Sequence, residues 1–406
     1  MGVYDESGAG GAAAASDVSG VDLSLVRDDL GYRIQRRLGL IPADGMGTVR
    51  RAIIFAAVSW LPLAIWAVVT GRASWQASGD DALLAHFGIH VRCLVAIPLL
   101  VIAEGIAQTF IPACLRYFVE AGLVPVDKLP QFRALIASVL QLRNGTLPWI
   151  LIFGAVVAWA TAGAVFSQFE DMSWSDANGH ATSEMTFGAW WFVLVIRPLF
   201  TALLLAWLWR ACLVFVLLLK IAKFPLSLVP THPDRVAGLG FVERLTFVFS
   251  PVAFAVSAVA AASFAHEVVY HGVNAMDIKG LLIATGVLVS VVFLVPFAPL
   301  ALTLGKVKRQ ALLDYGSIVG RHGRLVHSRW ILGQEIGSPQ ILDAPELGPV
   351  ADVQTMFDSV KHMRGFPISK VGLIAIVAPA ALPLLFVTVM QMPLQTVLLK
   401  VLKTLI

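Results

Sequence analysis

The chain has 406 residues, of which 58% are apolar and only 14% charged, and its formal net charge is +4. A water-soluble domain carries roughly a quarter charged residues, so the composition argues against an ordinary soluble enzyme and makes lipid the main solvent. The three cysteines, Cys93, Cys114 and Cys212, lie in or beside apolar runs and show neither a disulfide framework nor finger-type metal spacing.

Residues 1–20 are rich in Gly, Ala and Ser and carry Asp5, Glu6 and Asp17. They lack the basic start and apolar core of a secretory signal and read as a disordered tail. The juxtamembrane segment 21–50 sets Leu23, Val26, Leu30, Ile34 and Leu38 at helical spacing, with Arg27, Arg33, Arg36 and Arg37 between them. That pattern predicts a helix lying on the membrane surface, with Gly31 as a weak point in its middle.

A helix needs about 20 apolar residues to cross the hydrocarbon layer. Within a membrane domain at 51–305, six stretches meet that requirement: 52–70, 93–115, 144–169, 185–219, 245–265 and 280–305. A seventh span is predicted at 371–391. Internal prolines such as Pro62, Pro98, Pro198 and Pro379 do not veto these spans, because neighbouring helices and local kinks re-satisfy the freed carbonyls. The stretch 185–219 is over-long for one crossing, so it either tilts or projects from the bilayer. Its Trp190–Trp191 and Trp207–Trp209 pairs stand as far apart as two membrane interfaces. The expected fold is an all-α polytopic bundle of about seven transmembrane helices.

The segment 306–370 is too small to be comfortably stable alone. It reads as a cytoplasmic helical cap that continues span six and packs on the membrane domain or on a second copy of the chain, which would make a homo-oligomer. A helix near 349–363 would place Val350, Val353, Phe357 and Val360 on one face. The tail 392–406 carries an apolar stripe of Leu394, Val397, Leu398, Val401, Leu402 and Leu405, and reads as an interfacial amphipathic helix.

Orientation follows from the basic residues. With the N-terminus in the cytoplasm, 23 of the 30 Lys and Arg fall in cytoplasmic segments and five in outer ones. The opposite orientation would reverse that bias.

Chemistry-bearing candidates are few. Glu104 lies about twelve residues into span two, near the expected bilayer middle, with Gln108 one turn along, and Arg197 lies inside span four. Ionisable groups at such depth need partners, so Glu104 and Arg197 are expected to pair. The pair would either lock two helices or line an ion, proton or substrate route. Five of the nine histidines, His86, His90, His180, His266 and His271, fall toward the outer side. His86 and His90 have i,i+4 spacing. The run from His266 through Glu267 to His271 misses the zinc-protease pattern by one residue. These residues are either interfacial histidines without a special role or a weak outer metal or pH-sensing site.

Before span five, His232, Asp234, Arg235, Gly238 and Gly240 stand in the run THPDRVAGLGF. Two prolines exclude a helix there, and the glycines permit tight backbone paths. The run reads as a structured turn seating span five. A lone Gly-x-Gly is a weak phosphate signal, and the flanking spans argue against a chaperone-type His-Pro-Asp hairpin. Arg321, Arg324 and Arg329 form a basic cytoplasmic run suited to anionic lipid head groups. It is too small, and too poor in aromatics, for nucleic acid.

The runs HPDRVAGLGF, LLDYGSIVGRHGRLVHSRW and MPLQTVLLKVLKTL resemble those of a group of bacterial polytopic inner-membrane proteins without an assigned activity. The resemblance implies a multi-pass protein of the bacterial inner membrane. No nucleophile elbow, phosphate-binding loop or catalytic carboxylate pair is visible. The expectation is a non-enzyme without a cofactor: a transporter or channel for a small solute or ion or, alternatively, a non-transporting sensor or scaffold acting through 306–370. Reporter fusions after residues 175 and 340 should give opposite signals; the same signal at both would overturn the assigned orientation.

Overall fold

The computed structural model describes residues 23–27, 29–42, 45–72, 83, 86–165, 186–334 and 348–390, with backbone alone at 160–165, 348–351 and 353. The expected disordered tail at 1–20, the terminal amphipathic helix, His180 and the side chains of Val350 and Val353 fall outside the described residues.

Those residues form helices and turns with no strand among them. A short helix α1, Leu30–Arg37, is followed by α2, Thr48–Val69, and by α3, Phe87–Glu120. Then come α4, Leu129–Asn144, α5, Thr146–Val165, and α6, Phe187–Lys223. Helix α7 is Thr246–Tyr270, α8 is Lys279–Ile331, α9 is Gly348–Lys361 and α10 is Lys370–Met390. Among the described residues seven helical runs are long and apolar enough to cross a membrane, and each corresponds to one predicted span. The third, Val126–Trp159, joins α4 to most of α5. Helix α4 lies between the predicted spans 93–115 and 144–169, where no apolar run marks it.

Helix α7 is the most buried of the spans and packs most extensively against α10. Small side chains explain this: Ala253, Ala255, Ala258, Ala261, Ala262 and Ala265 are all buried, so the backbones approach closely. At the foot of α10 a Cβ on Gly372 would come within 2.6 Å of Glu243 Cγ and of Ile368 Cγ2, so only glycine fits that approach.

Several helices are much longer than the bilayer demands. At 1.5 Å per residue α3 spans about 51 Å, α6 about 55 Å and α8 about 80 Å, against roughly 30 Å of hydrocarbon. The bundle therefore continues well beyond the lipid. Within α3 and α6, π-helical turns at Val91–Ala96 and Phe192–Ile196 precede Pro98 and Pro198. Proline lacks the N–H and crowds the preceding turn, and a widened turn accommodates it without ending the helix. Pro296 lies in a 3₁₀ turn, Val295–Phe297, inside α8.

The N-terminal segment departs from the reading as one surface helix. Only Leu30–Arg37 is helical, capped by Asp29, whose Oδ1 accepts from Tyr32 N at 2.6 Å. Leu30, Ile34 and Leu38 are exposed, as suits a helix on a membrane surface. Leu23, Leu25 and Val26 instead belong to the main core, with at most 2% of their surface accessible. The strap, residues 23–27 and Asp29, thus inserts into the bundle. The cap also docks on the bundle: α9 packs along α8, Lys308 Nζ donates to Met363 O at 2.5 Å, and Met363 and Ile368 join the main core.

Candidate functional site

The most concentrated chemistry lies where the strap meets the spans. Glu104 on α3 is 2% accessible, and each carboxylate oxygen faces an arginine. Oε2 accepts from Nη2 of Arg51, in the first turn of α2, and Oε1 lies 2.9 Å from Nη2 of Arg210 on α6. The same Arg210 Nη2 lies 2.9 Å from Asp29 Oδ2 on the strap. Arg51, Arg210 and Asp29 are at most 4% accessible. Two carboxylates and two guanidiniums form one charge-balanced, water-excluded cluster.

Polar neighbours extend it, while Arg210 Nε and Nη1 stay buried without a hydrogen-bond partner among the described residues. Gln35 of α1 accepts from Arg51 Nε at 2.6 Å, and Gln108, one turn along α3 from Glu104, accepts from the hydroxyl of Ser24 on the strap. Arg143 of α4 donates to the carbonyls of Ser24 and, at 2.7 Å, Arg27. The Arg210 guanidinium carbon stands 5.1 Å from the Trp207 ring centroid, and the Trp207 indole N–H donates to Leu100 O at 2.9 Å. Trp207 is thus a core residue supporting Arg210, not the interfacial marker its spacing suggested.

The expected pairing of Glu104 with Arg197 is replaced. Arg197 is thirteen residues before Arg210 on α6, roughly 20 Å along the axis, and stacks 5.1 Å from the Trp159 ring centroid. The mismatch has a physical cause. Glu104 stands at the middle of α3, yet it meets Arg51 in the first turn of α2, so the two helices are offset along their axes by an amount that the lengths of their apolar runs do not carry. Arg51 and Asp29 were missed because both sit outside the apolar windows. The available signal, for Asp29 alone, was the apolar triplet Leu23, Leu25 and Val26 shortly before it.

A second concentration is the His232–Gly240 loop. Asp234 Oδ1 accepts from Val236 N at 2.9 Å and Gly238 N at 3.2 Å, and Oδ2 accepts from Gly240 N at 2.9 Å. His232 Nδ1 lies 2.9 Å from Oδ1. Partial burial by itself would raise the Asp234 pKa, but the N–H donors of Val236, Gly240 and Gly238, with His232, outweigh it and hold the carboxyl below its ordinary value. Arg235 and Ala237 take φ of 62° and 56°, strained for residues other than glycine, and the hydrogen bonds to Asp234 hold them there. A Cβ on Gly240 would crowd Asp234 Oδ2 at 3.1 Å. Arg364, just beyond α9, donates to Asp234 O at 3.1 Å through Nη2 and to Arg235 O at 2.7 Å through its backbone N–H, so the cap is tied to this loop.

The outer histidines do not converge on one ligand. His90 Nδ1 accepts from Trp60 Nε1 at 3.0 Å, and its Nε2 lies 3.0 Å from Leu83 O. His86 instead stacks on His266, ring centroids 5.3 Å apart, and His266 neighbours Tyr270 and His271. Glu267 adds no third ligand: among the described residues no group of three His, Cys, Asp or Glu is placed to hold a metal. Arg321, Arg324 and Arg329 are exposed on the far end of α8. A bilayer-length stretch counted from Lys279 ends roughly 30 Å short of them, so lipid contact there requires α8 to lean over the membrane.

Three cavities bear on function. One of about 520 Å³ is an apolar groove between the start of α8 and α10, lined by Leu282, Gly286, Ser290, Ala381 and Leu384 among others. One of about 670 Å³ lies among Leu99, Ile106, Phe110, Phe254 and Pro379. The third, about 500 Å³, adjoins the His232–Gly240 loop and has a substantially polar lining. Glu104, Gln108 and Arg197 line none of the three.

Glu104→Gln and Arg51→Gln should each lower stability by about 3–5 kcal/mol, because each strands a buried charge. The double variant should cost less than the sum, whereas Glu104→Gln with Arg197→Gln should be additive; reversible unfolding in mixed micelles measures both. Asp234→Asn should cost about 1–3 kcal/mol, since the amide presents a donor to an N–H. Because its folded pKa is depressed, Asp234 stabilises the protein above about pH 3.9 and stops doing so as pH falls through the lower folded value. The variant should therefore flatten the acid side of the stability profile.

No known protein family, curated protein or solved structure matches this chain, so its function is read from its own geometry.

Proposed function

We propose that the chain is a non-transporting sensor or scaffold of the bacterial inner membrane, with its N-terminus in the cytoplasm, acting through the segment 306–370. The observation that carries this reading is the state of Glu104. A carboxylate on an ion or proton route needs contact with water and an uncommitted oxygen. Glu104 has an arginine on each oxygen, is 2% accessible and belongs to a cluster with no net charge. Such a cluster ties α2, α3, α6 and the strap together and suits a rigid base. On the cytoplasmic side of that base, Lys308, Met363 and Arg364 join α8, the end of α9 and the His232–Gly240 loop. A ligand or partner at that junction could then shift the cap against the bundle.

One observation favours the transporter reading. The cluster is closed by the strap, which is a short non-helical segment and not a span, so releasing it would expose Glu104. Proteoliposomes loaded with pH-sensitive and cation-sensitive dyes separate the two readings. The expected result is no proton, sodium or potassium flux above that of empty liposomes. A flux that Glu104→Gln abolishes while the protein stays folded would overturn the proposal and make the strap a gate.

A further inference from the structure

The cavity beside the His232–Gly240 loop has donors that the protein does not use. Its lining includes Tyr117, Ser227, His232, Asp234, Gly238 and Arg244. Asp234 is saturated, with three backbone N–H groups and His232 around its two oxygens. That leaves it little capacity to hold a cation. Arg244 is exposed, and its guanidinium makes no hydrogen bond or ion pair among the described residues. Its neighbour Glu243 does not neutralise it, because both Glu243 oxygens are taken by the backbone N–H and hydroxyl of Ser369 at 2.7 Å. The hydroxyls of Tyr117 and Ser227 likewise make no side-chain hydrogen bond among the described residues.

The walls are rigid enough to hold a defined shape. Val236, Ala237 and Leu239 are fully buried beneath the loop, and Phe241 packs against Tyr117 and Phe118 with ring centroids 4.6 and 4.8 Å apart. Gly238 lies with its Cβ position 3.1 Å from Leu123, so the loop sits against the end of α3. The volume, about 500 Å³, is that of a small-ligand site.

We propose that this cavity binds a phosphate-bearing anion, with Arg244 as its charge partner and Tyr117 and Ser227 as neutral donors. Donors approaching from separate elements suit the several oxygens of a tetrahedral phosphate better than the two oxygens of a planar carboxylate. The site opens where α3 ends and α7 begins, at the edge of the bundle. The phosphate can therefore come from a lipid head group or from a soluble phosphate ester. The assignment does not depend on whether the chain is a scaffold or a transporter.

The test uses the full-length protein in phosphatidylcholine nanodiscs. One arm adds glycerol phosphate and follows the thermal midpoint; the other includes phosphatidylglycerol in the disc and counts bound lipid by native mass spectrometry. A response in either arm is expected, and the arm that responds identifies the source. Arg244→Gln should weaken it roughly tenfold or more, the loss of a charged hydrogen bond. Ser227→Trp, which fills the cavity, should abolish it, and Arg309→Gln, at an exposed position of α8 outside the lining, should leave it unchanged. No response in either arm, or undiminished binding by Arg244→Gln, would overturn the proposal.

Discussion

Removing a carboxylate from water costs several kcal/mol even after the protein relaxes, and only close counter-charges with complete hydrogen bonding offset that cost. Glu104 meets this constraint by drawing an arginine from each of two neighbouring helices, and Arg210 in turn draws Asp29 from the strap. Each partner has a consequence elsewhere. Arg51 sets the depth of α2 against α3, Arg210 sets the rotation of α6 toward α3, and Asp29 fixes the strap. Apolar contacts between helices in lipid discriminate weakly among rotations and depths, because lipid tails are as apolar as the side chains. A buried ion pair tolerates little sliding, and so it sets the alignment of three long helices.

The strap illustrates the coupling between levels. Asp29 does two jobs: one oxygen caps α1 at Tyr32 N, and the other faces Arg210. Its backbone neighbours are held from a third direction by Arg143 of α4. A short segment with little secondary structure is thereby as well anchored as a span. Leu23, Leu25 and Val26 add apolar burial that the polar contacts position.

At the other concentration the protein uses a carboxylate differently. Asp234 serves as the hub of a loop, gathering three backbone N–H groups in a geometry that requires positive φ at Arg235, Ala237 and Gly238. The loop presents its carbonyls to Arg364, and so carries the cap. Its saturation also leaves Arg244 as the cavity's uncommitted charge, which gives the cavity its preference for anions.

Hydropathy is a sum over neighbours along the chain, and a bilayer imposes a minimum length on every crossing. For that reason the all-α class, the seven apolar helices and the continuation of span six into the cap were legible in the sequence, each span being marked by its own residues. The need of Glu104 for a basic partner was legible too, since hydrocarbon tolerates no isolated charge. The choice of partner was not. Arg197 matched by counted depth, yet Glu104, at the middle of α3, meets Arg51 in the first turn of α2, an offset between helices that the apolar runs do not carry. The burial of a strap that reads as a surface helix, the core role of Trp207 and the docking of Arg364 on Asp234 likewise join residues far apart in the chain. Such pairings leave no local pattern, because the energy that selects them arises only when separate helices meet.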